Sequence, residues 1–231
     1  MHYQQFKLRD PALISAFIGA YPFATIMVNG PISPIVAQTP AVFKKRGDSH
    51  GSLEFHLANA NPITPLLENN TPITLIFQGP SAPISPSWYR ARFPDPLSDR
   101  SRTAPTYNYV SLVVTGSVRR ISLENMRSHI GELVSLMERD DGWRFSEIHD
   151  TTYSDWSAMI AGFSIETDEY DFTAQLSQEQ SAEDREGVMA GLKRRGKAGD
   201  REVARLIGQI MKQELSFQPL TGGCDTPSAR S

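Results

Sequence analysis

The chain has 231 residues, 39% of them hydrophobic and 21% charged, with a formal net charge of -3. That supports a packed core, excludes wholesale disorder, and gives no whole-chain reason to expect a nucleic-acid or membrane partner. No apolar run approaches the roughly 20 residues that span a bilayer. The start, MHYQQFKLRD, lacks a signal-peptide layout, and the single Cys224 excludes an internal disulfide; together these point to a cytoplasmic protein.

Asp10-Pro11 reads as an N-cap followed by proline at the first helical position, and Leu13, Ile14, Phe17 and Ile18 give one apolar helical face ending near Gly19. Phe23–Val28 (FATIMV) is a predicted strand, Asn29-Gly30 a hairpin turn signal, and Pro31–Phe43 a proline-interrupted strand. Lys44-Lys45-Arg46-Gly47-Asp48 comes next as a polar turn. Ser52–Ala58 (SLEFHLA) alternates apolar and polar residues, as a half-buried strand does. His56 stands in its middle, where a lone histidine is ordinarily structural, and no metal-ligand spacing surrounds it. Asn61-Pro62 opens a short helix with Ile63, Leu66 and Leu67.

Thr74–Tyr89, reading TLIFQGPSAPISPSWY, begins as a strand that Gln78-Gly79-Pro80 should stop. Pro80, Pro83 and Pro86 each fix φ and remove a backbone donor, which argues against an interior helix or a central strand. A stiff loop ending in Ser85, Ser87, Trp88 and Tyr89 suits a flat ligand that needs stacking and a few hydrogen bonds. Spacing alone favours the plainer reading, a rigid connection whose aromatics plug the core.

Arg90–Ala104 carries four arginines against two aspartates with no apolar period, and reads as a solvated excursion or as a lid that contacts phosphate. Tyr107–Val118 is the strongest long strand. Ser122 caps a helix running to about Arg139, and Asp140–Ser157, with Trp143 and Trp156, is expected to be irregular. Met159–Ile165 is the last strand, extending toward Phe172. Ser181–Lys193 reads as a short helix, Gly196–Gly199 as a break, and Asp200 as the start of an amphipathic helix bearing Val203, Leu206, Ile207, Ile210, Met211 and Leu215. Between Glu183 and Glu214 eight Lys/Arg meet six Asp/Glu, too even for a DNA-binding argument. No βαβ alternation occurs, so a mainly β, α+β fold is expected: an antiparallel barrel decorated by helices. The implied division is a barrel domain over 1–175, a helical extension over 176–215 packing on the barrel or on a dimer partner, and a disordered tail over 216–231.

Neither GxGxxG nor GxxxxGK[ST] nor GxSxG is present, and His2, His50, His56, His129 and His149 are scattered without carboxylate or cysteine partners in ligand spacing, so no metal site is expected. What remains is binding through backbone, hydroxyl, amide and aromatic groups.

Four blocks in order then carry a family resemblance: His56-Leu57-Ala58-Asn59-Ala60-Asn61-Pro62; Ile76-Phe77-Gln78-Gly79-Pro80 through Ile84-Ser85-Pro86-Ser87-Trp88-Tyr89; Pro105-Thr106-Tyr107-Asn108-Tyr109; and Leu176-Ser177-Gln178 with Asp184-Arg185 and Gly187-Val188. Across roughly residues 1–195 the chain resembles the PaiB-type FMN-binding negative transcriptional regulators. The resemblance implies an antiparallel split β-barrel of the FMN-binding type, a homodimer, and FMN as a flat ligand at the subunit interface. It makes His56, Asn59, Ser85, Ser87, Trp88, Tyr89 and Asn108 the candidate cofactor-binding residues, with no catalytic residue named. The chain departs from the pattern at Asn59, where arginine is usual, and at Gln38, Pro83, Tyr107, Gln175 and Glu179. An amide at residue 59 removes a charge-assisted phosphate contact. The readings carried forward are a flavoprotein with redox or sensing chemistry, a regulator that needs DNA or a protein partner, and a barrel that has exchanged FMN for another small ligand.

Overall fold

A computed structural model describes residues 4–44 and 51–219. Cys224 and most of the predicted turn at Lys44–Asp48 lie outside the described residues. Seven strands occur among them: β1 Lys7–Leu8, β2 Phe23–Val28, β3 Ile35–Lys44, β4 Ser52–Ala58, β5 Pro72–Ile84, β6 Thr106–Arg120 and β7 Ile160–Gln175. The α-helices are α1 Pro11–Ala20, α2 Leu123–Met137, α3 Asp150–Ser157, α4 Ala182–Arg195 and α5 Asp200–Lys212.

The strand order is β1-β7-β4-β3-β2-β5-β6, and β7 also pairs with β6, so the pairing of six strands closes on itself with β1 as an extra strand. The pairs β2–β3, β3–β4, β4–β7 and β1–β7 are antiparallel. The fold is the expected antiparallel barrel with peripheral helices. Closure leaves few open edges for unwanted pairing.

Local chemistry accounts for most boundaries. Asp10 Oδ1 accepts from the Ala12 amide at 2.8 Å at the start of α1, and Ser122 Oγ accepts from Asn125 at 3.3 Å at the start of α2. Alternation is cleanest in β6, whose inward residues Val110, Leu112, Val114 and Val118 are fully buried.

Four expectations are corrected. Asn29-Gly30 does not form a two-residue turn: Val28 pairs with Ile35, six residues separate the strands, and neither Asn29 nor Gly30 has the positive φ that a tight primed turn requires. Asn61 does bind the Ile63 amide at 3.1 Å, but the chain then makes only one 3-10 turn, Thr64–Leu66. The stretch from Pro80 to Ile84 is strand, because β5 continues through both Pro80 and Pro83. β2 has six residues against thirteen in β5, so part of β5 has a neighbour on one side only, where a missing donor is tolerated. Finally, Asp140–Ser157 contains a 3-10 turn, Phe145–Glu147, and helix α3.

The chain divides into two units. One holds residues 1–14, 76–114 and 169–216, and the other residues 15–75, 115–168 and 217–231. In the first, α4 and α5 pack against each other. Val203, Leu206 and Ile207 of α5 are completely buried, each worth about 1.5–3 kcal/mol, which offsets the marginal stability of so short a helix. Leu215 falls beyond the end of α5. Gly196 and Gly199 turn the chain between the two helices with φ of +64° and +83°. Asp200 is 1% exposed and binds Arg195 through Oδ1 at 2.6 Å and Oδ2 at 2.9 Å, while the Lys197 amide donates to Oδ2 at 2.8 Å. In the second unit, Phe55 and Phe163 stack at 5.4 Å between centroids, and Ile26, Leu53, Ile63 and Leu75 fill the interior.

Candidate functional site

The sequence-derived residues fall in both units, Ser85, Ser87, Trp88, Tyr89 and Asn108 in the first and His56 and Asn59 in the second. In the first unit, Ser85 Oγ accepts from the Ser87 amide at 3.3 Å and lies 2.7 Å from Ser87 Oγ, capping the 3-10 turn Pro86–Trp88. The Trp88 ring lies against Gly191 of α4, under the Arg195 guanidinium at 5.0 Å. Tyr89 is 4% exposed, and burial raises its phenol above the ordinary value. Asn108 is 1% exposed and donates through Nδ2 to Ser177 Oγ at 2.8 Å. Asp184 holds the start of the Arg90–Ala104 loop by accepting from the amides of Ala91 at 2.8 Å and Arg92 at 3.2 Å. Ser177 stands at φ +61°, a strained conformation for a residue bearing a Cβ.

Of the cavities in the second unit, two are lined by candidate residues. A polar one of about 670 Å³ is lined by Asn59, Thr64, Pro65, Leu67, Glu68, Asn69 and Arg120. Asn59 Nδ2 is engaged with the Ala158 carbonyl at 2.9 Å, and Thr64 Oγ1 with the Ala58 carbonyl at 2.8 Å. Asn69 Oδ1 accepts from the Arg120 amide at 3.0 Å. The Arg120 guanidinium stands 5.6 Å from the Phe163 ring centroid, and no carboxylate of the described residues is in ion-pair range of it. Its donor fork suits a phosphate or a comparable anion. Arg120 lies 61 positions from Asn59 in sequence, and only β6 and β4 bring them to one cavity. The departure at Asn59 is therefore accompanied by a cation from elsewhere. A phosphorylated ligand fits this donor set, with Glu68 as the one anionic lining group.

The other cavity, about 530 Å³, is almost entirely apolar and aromatic; Trp143, Phe145, Tyr153 and Trp156 line it together with Ile130, Val134 and Met159. His56 is its imidazole. Two of the histidines meet in space: His56 Nδ1 lies 3.0 Å from His129 Nε2, and His129 is completely buried. His129 Nδ1 is 3.5 Å from Glu54 Oε2, an electrostatic contact too long for a good hydrogen bond. Lys44 Nζ reaches Glu54 Oε2 at 2.9 Å and Glu132 Oε1 at 3.1 Å. Burial and then the neighbouring His129 push His56 down to about 4. The Glu54 carboxyl is held below its ordinary value by His129 and Lys44 against the opposing cost of burial. β4 places Glu54 and His56 two residues apart, on one face of the strand, and α2 supplies His129. A hydrophobic helical face with a histidine at a buried position was the available signal, and it named no partner.

No group of three or more His, Cys, Asp or Glu side chains among the described residues is arranged to hold a bare metal ion. No helix of the described residues is long and apolar enough to cross a membrane.

Residues 1–169 match the family described as "Putative FMN-binding domain". The chain belongs to that family. FMN is accordingly its cofactor. A curated relative, "Protease synthase and sporulation protein PAI 2" of Bacillus subtilis, is 23% identical over 212 residues, covering 91% of this chain and 97% of the relative. Among solved structures, an FAD and heme binding protein from Mycobacterium smegmatis is similar, with TM-score 0.56 at 16% identity, covering 84% of this chain and 82% of that one. A flavocytochrome from Azotobacter vinelandii matches with TM-score 0.53 at 17% identity, covering 75% and 71%. At these identities the structural likeness establishes the fold.

Proposed function

We propose that this flavin-binding barrel is a redox or sensing flavoprotein, and that Arg120 holds the phosphate end of FMN in the polar cavity beside Asn59 and Asn69. The observation that carries the reading is the Arg120 guanidinium, without a carboxylate partner, in the cavity where the family's usual arginine is replaced by Asn59. Asn69 Nδ2 adds a donor, and the ring of the flavin supplies the hydride or electron chemistry when bound. The chain's own part is to bind and orient. In the first unit, Trp88, Tyr89 and Asn108 act by holding the backbone of the Ser85–Tyr89 motif in place. Assembly as a homodimer follows from the family resemblance and is read by light scattering.

The test compares FMN with riboflavin, which lacks the phosphate. Arg120→Gln should weaken FMN binding about 10- to 100-fold, the equivalent of one lost charge-assisted contact of about 1.5–3 kcal/mol. Riboflavin affinity should not change. Equal loss for both ligands, or none for either, removes Arg120 from the phosphate site. The regulatory reading draws on the printed name of the Bacillus relative, and its test is sequence-specific mobility-shift binding that survives moderate salt.

A further inference from the structure

The apolar cavity calls for a ligand of its own, independent of the flavin phosphate site. One imidazole cannot hold a bare metal ion. It can serve as the single axial ligand of a metal that brings its other donors with it in a flat macrocycle. We propose that the cavity beneath Trp143, Tyr153 and Trp156 binds an iron tetrapyrrole, with His56 Nε2 as the axial ligand to iron.

Three features carry this. The first is shape and chemistry: about 530 Å³ lined by aromatic and aliphatic groups lies within the about 300–1,000 Å³ of small-molecule sites and suits a large flat apolar ligand. The second is the orientation of His56. With the Glu54 carboxylate 3.5 Å from its Nδ1, a neutral His129 is favoured as the tautomer that carries its proton on that nitrogen. His129 Nε2 is then an acceptor and takes the Nδ1 proton of His56 at 3.0 Å. That leaves the lone pair of His56 on Nε2, for which the described residues provide no hydrogen-bond partner. A ligating imidazole fixed through its other nitrogen by an acceptor backed by a carboxylate is how proteins set the tautomer and basicity of such a ligand. The third is the support of the lining: the Arg127 guanidinium, paired with Asp150 at 3.0 Å, stands 4.6 Å from the Tyr153 centroid and 5.6 Å from that of Phe145 and holds both rings in place.

The experiment titrates the full-length protein with ferric protoporphyrin IX and follows the Soret band. A saturable, red-shifted band at one equivalent is expected, together with loss of the heme-dependent spectrum in His56→Gly and its recovery when free imidazole is added. His56→Gln, near in volume, guards against misfolding and should show the same loss with an unchanged circular dichroism spectrum. Absence of a saturable change overturns the proposal, and so does a spectrum that His56→Gly leaves intact. Arg120→Gln, which alters the other cavity, should give the same heme titration as the unaltered protein, so failure here is distinguishable from failure at Arg120.

Discussion

Replacing three helical glycines by alanine should give opposite signs within one helical pair. Alanine is favoured over glycine in a helix interior by about 1 kcal/mol, so without tertiary contacts each substitution would stabilise. Gly208 of α5 meets that condition: a Cβ there has its nearest neighbour, Met189 Sδ, at 3.5 Å, an ordinary contact. Gly191 of α4 does not, because a Cβ would come within 2.6 Å of Trp88 Cε2 and Cγ, well inside the usual contact of about 3.5–4.0 Å. Gly187 is worse, since its Cβ would overlap the Trp88 carbonyl oxygen, which cannot rotate away. Trp88 itself has little freedom, held by the proline turn before it and by Arg195 on its ring. Overpacking of this kind costs about 1–3 kcal/mol. Gly208→Ala should therefore stabilise by about 0.5–1 kcal/mol, Gly191→Ala should destabilise by about 1–2 kcal/mol net, and Gly187→Ala by more. Urea unfolding of the three variants reads the differences. Gly191→Ala stabilising as much as Gly208→Ala would refute the close docking of α4 on Trp88, and with it the reading of Trp88 as a packing residue.

Trp88→Ala should cost about 3–5 kcal/mol of stability by leaving a cavity beside α4, measured by thermal unfolding. Asp200→Asn should cost about 2 kcal/mol, because the Arg195 fork loses a charged acceptor. Arg195, then burial opposed by the Lys197 amide, leaves the Asp200 carboxyl below its ordinary value of 3.8. Its contribution is present above that value and is lost as pH falls further, so the variant's penalty should shrink below about pH 4 in acid unfolding. His56, neutral in the fold and ordinarily titrating at 6.5, behaves in a comparable sense from a higher start. Stability is full above pH 6.5 and falls by about 3 kcal/mol toward pH 4, with His129, Glu54, Lys44, Glu132 and Tyr153 as the surrounding charged or titratable groups. His56→Gln should flatten that slope in pH-dependent unfolding. Asn59→Arg in the Arg120→Gln background should restore part of the FMN affinity, read by flavin fluorescence.

Most of the longer elements and the family were legible in the residues alone. Capping residues, period-2 alternation and the amphipathic face of α5 are local signals, because side-chain direction follows backbone geometry within a few residues. They placed β2 and β4 to the residue, and the ordered motifs named FMN. What those residues touch came only with the packing of the barrel. The Pro80–Ile84 stretch stays strand because β2 is shorter than β5 and leaves part of it with β6 as its single neighbour, which proline chemistry alone does not reveal. The cation beside Asn59 comes from the end of β6, and the partner of His56 from α2, 73 positions on. Hydrogen bonds and ion pairs act over a few ångströms of space, and the chain sets that distance only once the strands have paired.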